Sequence, residues 1–356
     1  MKVGIVTYHR TLNYGACLQA IATRVALEKL GHEAYYVDYW PKYHSKVYKT
    51  FSLTKFLKLP SFGWKLRYLL SFPERKRRND SFAPFLTKYI IPYCHPIEDN
   101  YDVVIYGSDQ IWRKQKALGT YNPFYFGDNK IKTKHHISYA ASMGVLPDNN
   151  DDINKLKQLL SNFDKISVRE ENLFNIVRSL GYKNVQLTLD PTLLLTSQEW
   201  DKIIETEQYT GSPYVLIYSI GKPDAFNLKS IHKYAFMRNL KVKILCGTPE
   251  ASGSKEYITT ANPYEFLKLI RNADSVFTSS FHGLVFSLLY HKNVYASFKH
   301  NSNRAKTLLD SISLSERLLV PKIEVPDLKE IDYDSVQEKL QFFKDSSYNF
   351  LATINQ

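Results

Sequence analysis

The sequence predicts an α/β protein made of two Rossmann-like, doubly wound domains followed by an amphipathic C-terminal helix. Three observations carry this. The chain has 356 residues, more than one ordinary core organises and enough for two domains of about 150–200 residues each. Short β-branched apolar runs alternate along it with segments of helical period. Those runs end in small or polar turns, where doubly wound folds carry their functional loops.

The first strand is "KVGIVTY", and "GACLQAIATRVALEKLG" follows with apolar residues at helical spacing, a start near Ala16 and a stop at Gly31. "EAYYVDYW" is the second strand. Strand, helix and strand within about 40 residues make a βαβ unit, which implies a parallel sheet. Residues 42–90 interrupt the pattern with a basic, aromatic insert, and it resumes at "YDVVIYGSDQIW", "HHISYAASMG", "FDKISVREENLFNIVRSLG" and "NVQLTLDPTLLL". A polar stretch over 197–212 marks a boundary, giving an N-terminal domain of residues 1–205 and a C-terminal one of 206–356. The second contains "YVLIYSIG", "LKVKILCG", "ADSVFTSS" and "NVYASF". The closing segment "DYDSVQEKLQFFKDSSYNFLATI" is a helix with Val336, Leu340, Phe343 and Phe350 toward a core. Two such domains in tandem face each other across a cleft at the carboxyl ends of their strands.

At 44% hydrophobic and 23% charged residues the composition is that of a globular protein. No run approaches the roughly 18 apolar residues of a membrane span. The opening "MKVGIVTYHRTLNYG" meets His9 and Arg10 too early for a secretory signal. Cys17, Cys94 and Cys246 lack the C-x-x-C spacing of zinc or redox sites, so a reduced cytoplasmic compartment fits best. The formal charge of +12 asks for an acidic partner. Residues 42–78 hold eleven Lys or Arg against the single acid Glu74, interleaved with Phe56, Phe62, Trp64, Leu69 and Phe72. That mixture suits an anionic membrane surface better than a nucleic-acid groove, with a solvated helical face as the plainer reading.

Among the motifs, "TLNYGACLQ" offers Gly15 for close backbone approach to a ligand, and Asn13 as ligand contact or helix cap. The chain has neither G-x-G-x-x-G nor a P-loop, so a dinucleotide or nucleoside triphosphate site is unsupported. "IYGSDQIW" ends a strand in Ser108, Asp109 and Gln110, a polar cluster for which capping is the alternative. In "ISVREENL", Arg169 follows a buried strand and suits bidentate recognition of phosphate or carboxylate; a salt bridge to Glu170, Glu171 or Asp190 is the competing role. Asp190 stops a strand and orients a neighbour. In "TSSFHGLVFSLLYHKN", His282 opens a helix beside Thr278, Ser279, Ser280 and Gly283, where helix-end N–H groups attract an anion. As cleft residues, Arg169 and His282 are expected to contribute little to stability.

Taken in order, "NYGACLQA", "YGSDQIW", "SYAASMG", "SVREENL", "LDPTLLL", "TSSFHGLVFSLLYHKNVYASF" and "NSNRAKTLLDSISLSERL" make the chain resemble the polysaccharide pyruvyl transferases. The resemblance implies a GT-B-like pairing of the two domains, with the acceptor on the first and the donor on the second. It also implies transfer of a pyruvyl group from phosphoenolpyruvate, as co-substrate, to a sugar. Arg169 and His282 match family residues associated with the donor. Where many members carry arginine two positions before the histidine this chain has Ser280, and Arg304 is the candidate for the missing charge. His282 is then the expected general acid and Asp109 the expected sugar ligand or base. No metal or other cofactor is expected. The expected partners are phosphoenolpyruvate, a glycan acceptor (lipid-linked or carried on a nucleotide) and an anionic membrane at the inner face of the cell, not nucleic acid. The competing readings are a GT-B glycosyltransferase using a nucleotide sugar and a non-enzymatic protein that binds anionic surfaces.

Overall fold

The structure, a computed structural model, describes residues 1–47, 49–204, 209–247, 256–300 and 302–354. Seven strands, β1 (Lys2–Val6), β2 (Glu33–Val37), β3 (Cys94–His95), β4 (Asn100–Tyr106), β5 (Lys132–Ala141), β6 (Lys165–Val168) and β7 (Val185–Leu187), form one parallel sheet in the order β3-β2-β1-β4-β5-β6-β7. Five more, β8 (Tyr214–Ser219), β9 (Lys241–Cys246), β10 (Tyr257–Ile258), β11 (Ser275–Thr278) and β12 (Asn293–Ala296), form a second parallel sheet in the order β10-β9-β8-β11-β12. Strand order reverses between β1 and β4 in the first sheet and between β8 and β11 in the second. Reversals of this kind open a crevice at the carboxyl ends of the strands. The fold is therefore the doubly wound pair that the alternating pattern predicts. The edge strands β3 and β10 are two residues long, too short to show as an apolar run.

Helix α1 (Tyr14–Lys29) begins two residues before Ala16, capped by Asn13, whose side chain accepts from the Ala16 N–H. It is apolar on nearly every side, as a helix packed on every side must be. One face lies on its own sheet, while the Tyr14 ring stacks on Phe266 of the second half with centroids 4.7 Å apart. The insert folds as α2 (Lys42–Val47), α3 (Leu53–Leu57), α4 (Phe62–Leu70) and α5 (Phe72–Tyr89). Its basic residues do not form one surface. Arg75 and Arg78 are buried in α5; Arg78 donates to the Tyr14 hydroxyl at 2.9 Å and to the Thr259 carbonyl at 3.1 Å. Arg78 thus joins the halves of the chain, Arg75 braces the insert by donating to the Thr50 and Tyr68 carbonyls, and both are withheld from any membrane.

The remaining helices are α6 (Asn150–Leu160), α7 (Glu171–Ser179), α8 (Ser197–Ile204), α9 (Leu228–Met237), α10 (Pro263–Arg271), α11 (Phe281–Leu289), α12 (Asn303–Ser311) and α13 (Tyr333–Ala352). Although α13 follows the second sheet in sequence, it spans both halves. Tyr333 stacks on His291 at 4.5 Å, while the Ser347 hydroxyl accepts from the Leu189 N–H at 3.0 Å and Phe350 packs on Tyr139 of β5. One hydrophobic cluster runs from Val3 and Ile21 through Leu193 and Trp200 to Leu284 and Phe350, so the two sheets share a continuous core.

Candidate active site

Three strand ends of the first sheet and the start of α11 in the second half converge on Asp190. This residue follows β7 and turns the chain through a 3-10 segment, with Oδ1 accepting from the Thr192 N–H at 3.0 Å and the Thr192 hydroxyl at 2.6 Å. Its other oxygen, Oδ2, accepts from the Ser108 hydroxyl at 3.2 Å and from Nη1 of Arg169. Nε2 of His282 lies 3.6 Å from the same oxygen, an electrostatic contact just beyond hydrogen-bond length. Burial alone would raise the Asp190 carboxyl. Arg169, then His282, outweigh it and hold that carboxyl well below the usual carboxylate range.

Arg169 sits at the end of β6, 4% exposed. Nη1 donates also to the Ser108 hydroxyl at 3.0 Å, and Nη2 is 3.7 Å from Asp109 Oδ1. The expected salt bridge and the expected cleft position thus describe one residue. Half of its fork is occupied, while Nε and Nη2 are buried without a hydrogen-bond partner. Nε2 of His282 is in the same condition. Three unsatisfied buried nitrogens around one carboxylate are exceptional in a folded protein, and they mark where an anionic ligand would recover lost hydrogen bonds.

Phe281 separates two cations, with the Arg169 guanidinium 5.1 Å and the Arg304 guanidinium 5.3 Å from its ring. Nε of Arg304, from α12, is 3.8 Å from Glu170 Oε1, and Glu170 also accepts from the Ser142 hydroxyl. Burial, with repulsion from Arg169, pulls the Arg304 pKa down to about 10. A small cavity is lined by Arg169, Asp190, Phe281 and Arg304, with Leu187 and Leu189 among its apolar walls.

Other residues singled out from the sequence have more local roles. Gly15 admits no ligand: a Cβ there would lie 2.0 Å from Nδ1 of His282, so its missing side chain lets α1 close on the imidazole. At Gly283 a Cβ would meet Thr278 Oγ1 at 2.2 Å, which makes that glycine a packing contact between α11 and β11. Ser280 caps α11 by accepting from the Gly283 N–H, and Ser279 exchanges a hydrogen bond with Ser219 at 2.8 Å. Both hydroxyls are therefore engaged within the protein. Asn13 is the cap of α1. Ser108 caps no helix; its N–H donates to Gln19 Oε1 at 3.1 Å and its hydroxyl serves Asp190. Asp109 lies at φ +44° and accepts from the Gln110 N–H at 2.8 Å. Gln110 packs over Gly144, where a Cβ would come within 2.5 Å of Nε2.

Sequence reasoning missed Phe281 as the spacer between two arginines, and Gln19 as the side chain that holds the Ser108 backbone. A glutamine set in the small and apolar run "GACLQAIA" was the available signal for the second. Arg169 and His282 are 4% and 6% exposed, so they stand inside the protein rather than on an open cleft wall.

The model of the family described as polysaccharide pyruvyl transferase matches residues 13–298, a span that contains Asp190, Arg169 and His282. No curated protein matches the sequence. Among solved structures, the chain is similar to the UDP-GlcNAc 2-epimerase of Methanocaldococcus jannaschii at 14% identity, covering 96% of this chain and 92% of that one with a TM-score of 0.47. It is similar to the UDP-GlcNAc 2-epimerase of Neisseria meningitidis at 12% identity, 99% and 94% coverage and a TM-score of 0.46. The E. coli heptosyltransferase WaaC aligns at 12% identity, 96% and 100% coverage and a TM-score of 0.41.

Proposed function

We propose, from the premise that the chain belongs to the polysaccharide pyruvyl transferase family, that it moves a pyruvyl group from phosphoenolpyruvate to a sugar of a glycan precursor, forming a cyclic ketal and releasing phosphate. The single observation that carries this reading is the set of unsatisfied nitrogens, Arg169 Nε and Nη2 and His282 Nε2, gathered around Asp190. A donor bearing a phosphate and a carboxylate is the kind of ligand such a set would hold.

In this reading Arg169 uses its free edge on one anionic group of the donor, while Asp190 keeps the other edge fixed. Arg304 adds a second positive charge across Phe281. His282, held beside Asp190, delivers a proton to the methylene carbon of phosphoenolpyruvate, and one sugar hydroxyl adds at the central carbon. A second hydroxyl of the same sugar then closes the ring as phosphate leaves. The two hydroxyl protons balance the reaction, one ending on the new methyl group and the other on phosphate. Asp109, next to Arg169, is the candidate acceptor ligand or base.

Product analysis tests the proposal. Incubation with phosphoenolpyruvate and a panel of glycan acceptors should release inorganic phosphate and add the mass of pyruvic acid less one water. Transfer of a whole sugar from a nucleotide sugar, with phosphoenolpyruvate untouched, would instead make the chain a glycosyltransferase.

A further inference from the structure

We propose that the outward face of α3 and α4 docks on an anionic lipid bilayer, and that this docking is independent of the transfer reaction. Phe62, Leu66, Leu69 and Leu70 follow the spacing i, i+4, i+7, i+8 and so share one face of α4. A helix in a globular protein turns such a stripe inward. Here it faces solvent, with Phe62 78% and Leu70 72% exposed. The only buried residue of α4 is Tyr68. Its hydroxyl accepts from the Ser52 N–H at 3.0 Å, and the Arg75 guanidinium covers its ring at 3.9 Å. The pair is therefore anchored from the inside by Tyr68 and Arg75, and the stripe is left outside by construction.

Nine of the twenty large hydrophobic side chains exposed among the described residues fall within 51–72, Leu53 and Leu57 of α3 among them. A patch this concentrated marks an interaction surface. Its charge selects the partner. Lys55, Lys58 and Arg67 are exposed on the same two helices and the turn between them, and residues 39–73 contain no Asp or Glu. A second copy of the chain would bring two cationic faces together, which repel. A bilayer with anionic headgroups satisfies both components: the apolar side chains enter the acyl boundary while the basic ones remain at the phosphates. Trp64, half exposed, lies four residues before Tyr68 and so on the side of α4 away from the stripe. No described helix is long and apolar enough to cross a membrane, so the contact lies in the surface plane.

Flotation of the full chain with phosphatidylcholine vesicles, and with vesicles that also contain phosphatidylglycerol, tests this. The expected result is binding to the anionic vesicles alone, lost at high salt. Lys58→Gln and Arg67→Gln should each weaken binding by about fivefold. Phe62→Ser combined with Leu70→Ser should weaken it by about tenfold or more, with an unchanged melting temperature because neither side chain is in the core. Equal binding to neutral vesicles, or binding to neither, overturns the proposal. So does self-association that Phe62→Ser with Leu70→Ser abolishes in the absence of vesicle binding, or capture of RNA that survives that double substitution.

Discussion

Gly15 and His282 touch across the two halves of the chain, the glycine giving the imidazole the space in which it stands beside Asp190. A methyl group on Gly15 would lie 2.0 Å from Nδ1, so Gly15→Ala must displace either α1 or the ring. We expect a loss of about 1–3 kcal/mol of stability, the usual cost of overpacking. In a His282→Ala background most of that loss should disappear. Melting curves of the two single variants and the double variant measure this coupling without reference to activity. Additive losses would show that the contact is relieved elsewhere.

His282→Gln keeps a polar side chain beside Asp190 but cannot deliver a proton. Turnover should fall by roughly 10² to 10⁴, while donor affinity changes much less, because a general acid acts chiefly in the transition state. Steady-state kinetics with the donor varied separates the two effects. Full turnover in a variant of lowered melting temperature would make His282 structural.

Asp190→Asn leaves Arg169 buried without its counter-charge. The expected loss is about 3–5 kcal/mol, read by denaturant unfolding at neutral pH. Because the Asp190 carboxyl is held below its ordinary range, its contribution is complete above the unfolded carboxylate pKa and is lost only as pH falls through the lower folded one. The difference between wild type and Asp190→Asn should therefore be level above about pH 5 and shrink only in strong acid.

His9 is buried against Tyr36, their rings stacked at 5.2 Å, and burial lowers its pKa from 6.5 to about 3. The unfolded chain then takes up a proton that the folded one refuses, so this contribution is full above the unfolded value and drains away as pH falls toward about 3. His9→Phe preserves the stacking and should reduce proton uptake on unfolding near pH 5 by about one proton. Calorimetric melts across that range give the slope; an unchanged slope would mean that His9 titrates normally in the folded protein.

Both sheets were legible in the sequence because parallel strands buried on two faces are written as continuous apolar runs, such as "YVLIYS" and "KVGIV". The site was legible in part for a related reason: polar residues that end such runs, Ser108, Arg169, Asp190 and Ser280 among them, sit where the fold puts its crevices. Periodicity does not say which of these meet. Asp190 looked like a strand stop, and its place as the shared partner of Ser108, Arg169 and His282 depends on contacts spanning 82, 21 and 92 positions of the chain. At Gly15 the local pattern shows that room is needed but not what fills it, which is the His282 ring rather than a ligand. In the insert, alternating basic and aromatic residues could not distinguish Arg75 and Arg78, turned inward, from Lys58 and Arg67, turned out.

Arg169 is proposed to grip the donor with the edge that Asp190 leaves open. Isothermal titration of phosphoenolpyruvate into the wild type, Arg169→Lys and His282→Gln tests it without an acceptor. Saturable binding to the wild type is expected, with a loss of about tenfold or more in Arg169→Lys, where a point charge replaces the fork, and affinity within a few-fold of wild type in His282→Gln. Equal affinity in all three proteins, or no binding to a folded wild type, would contradict it.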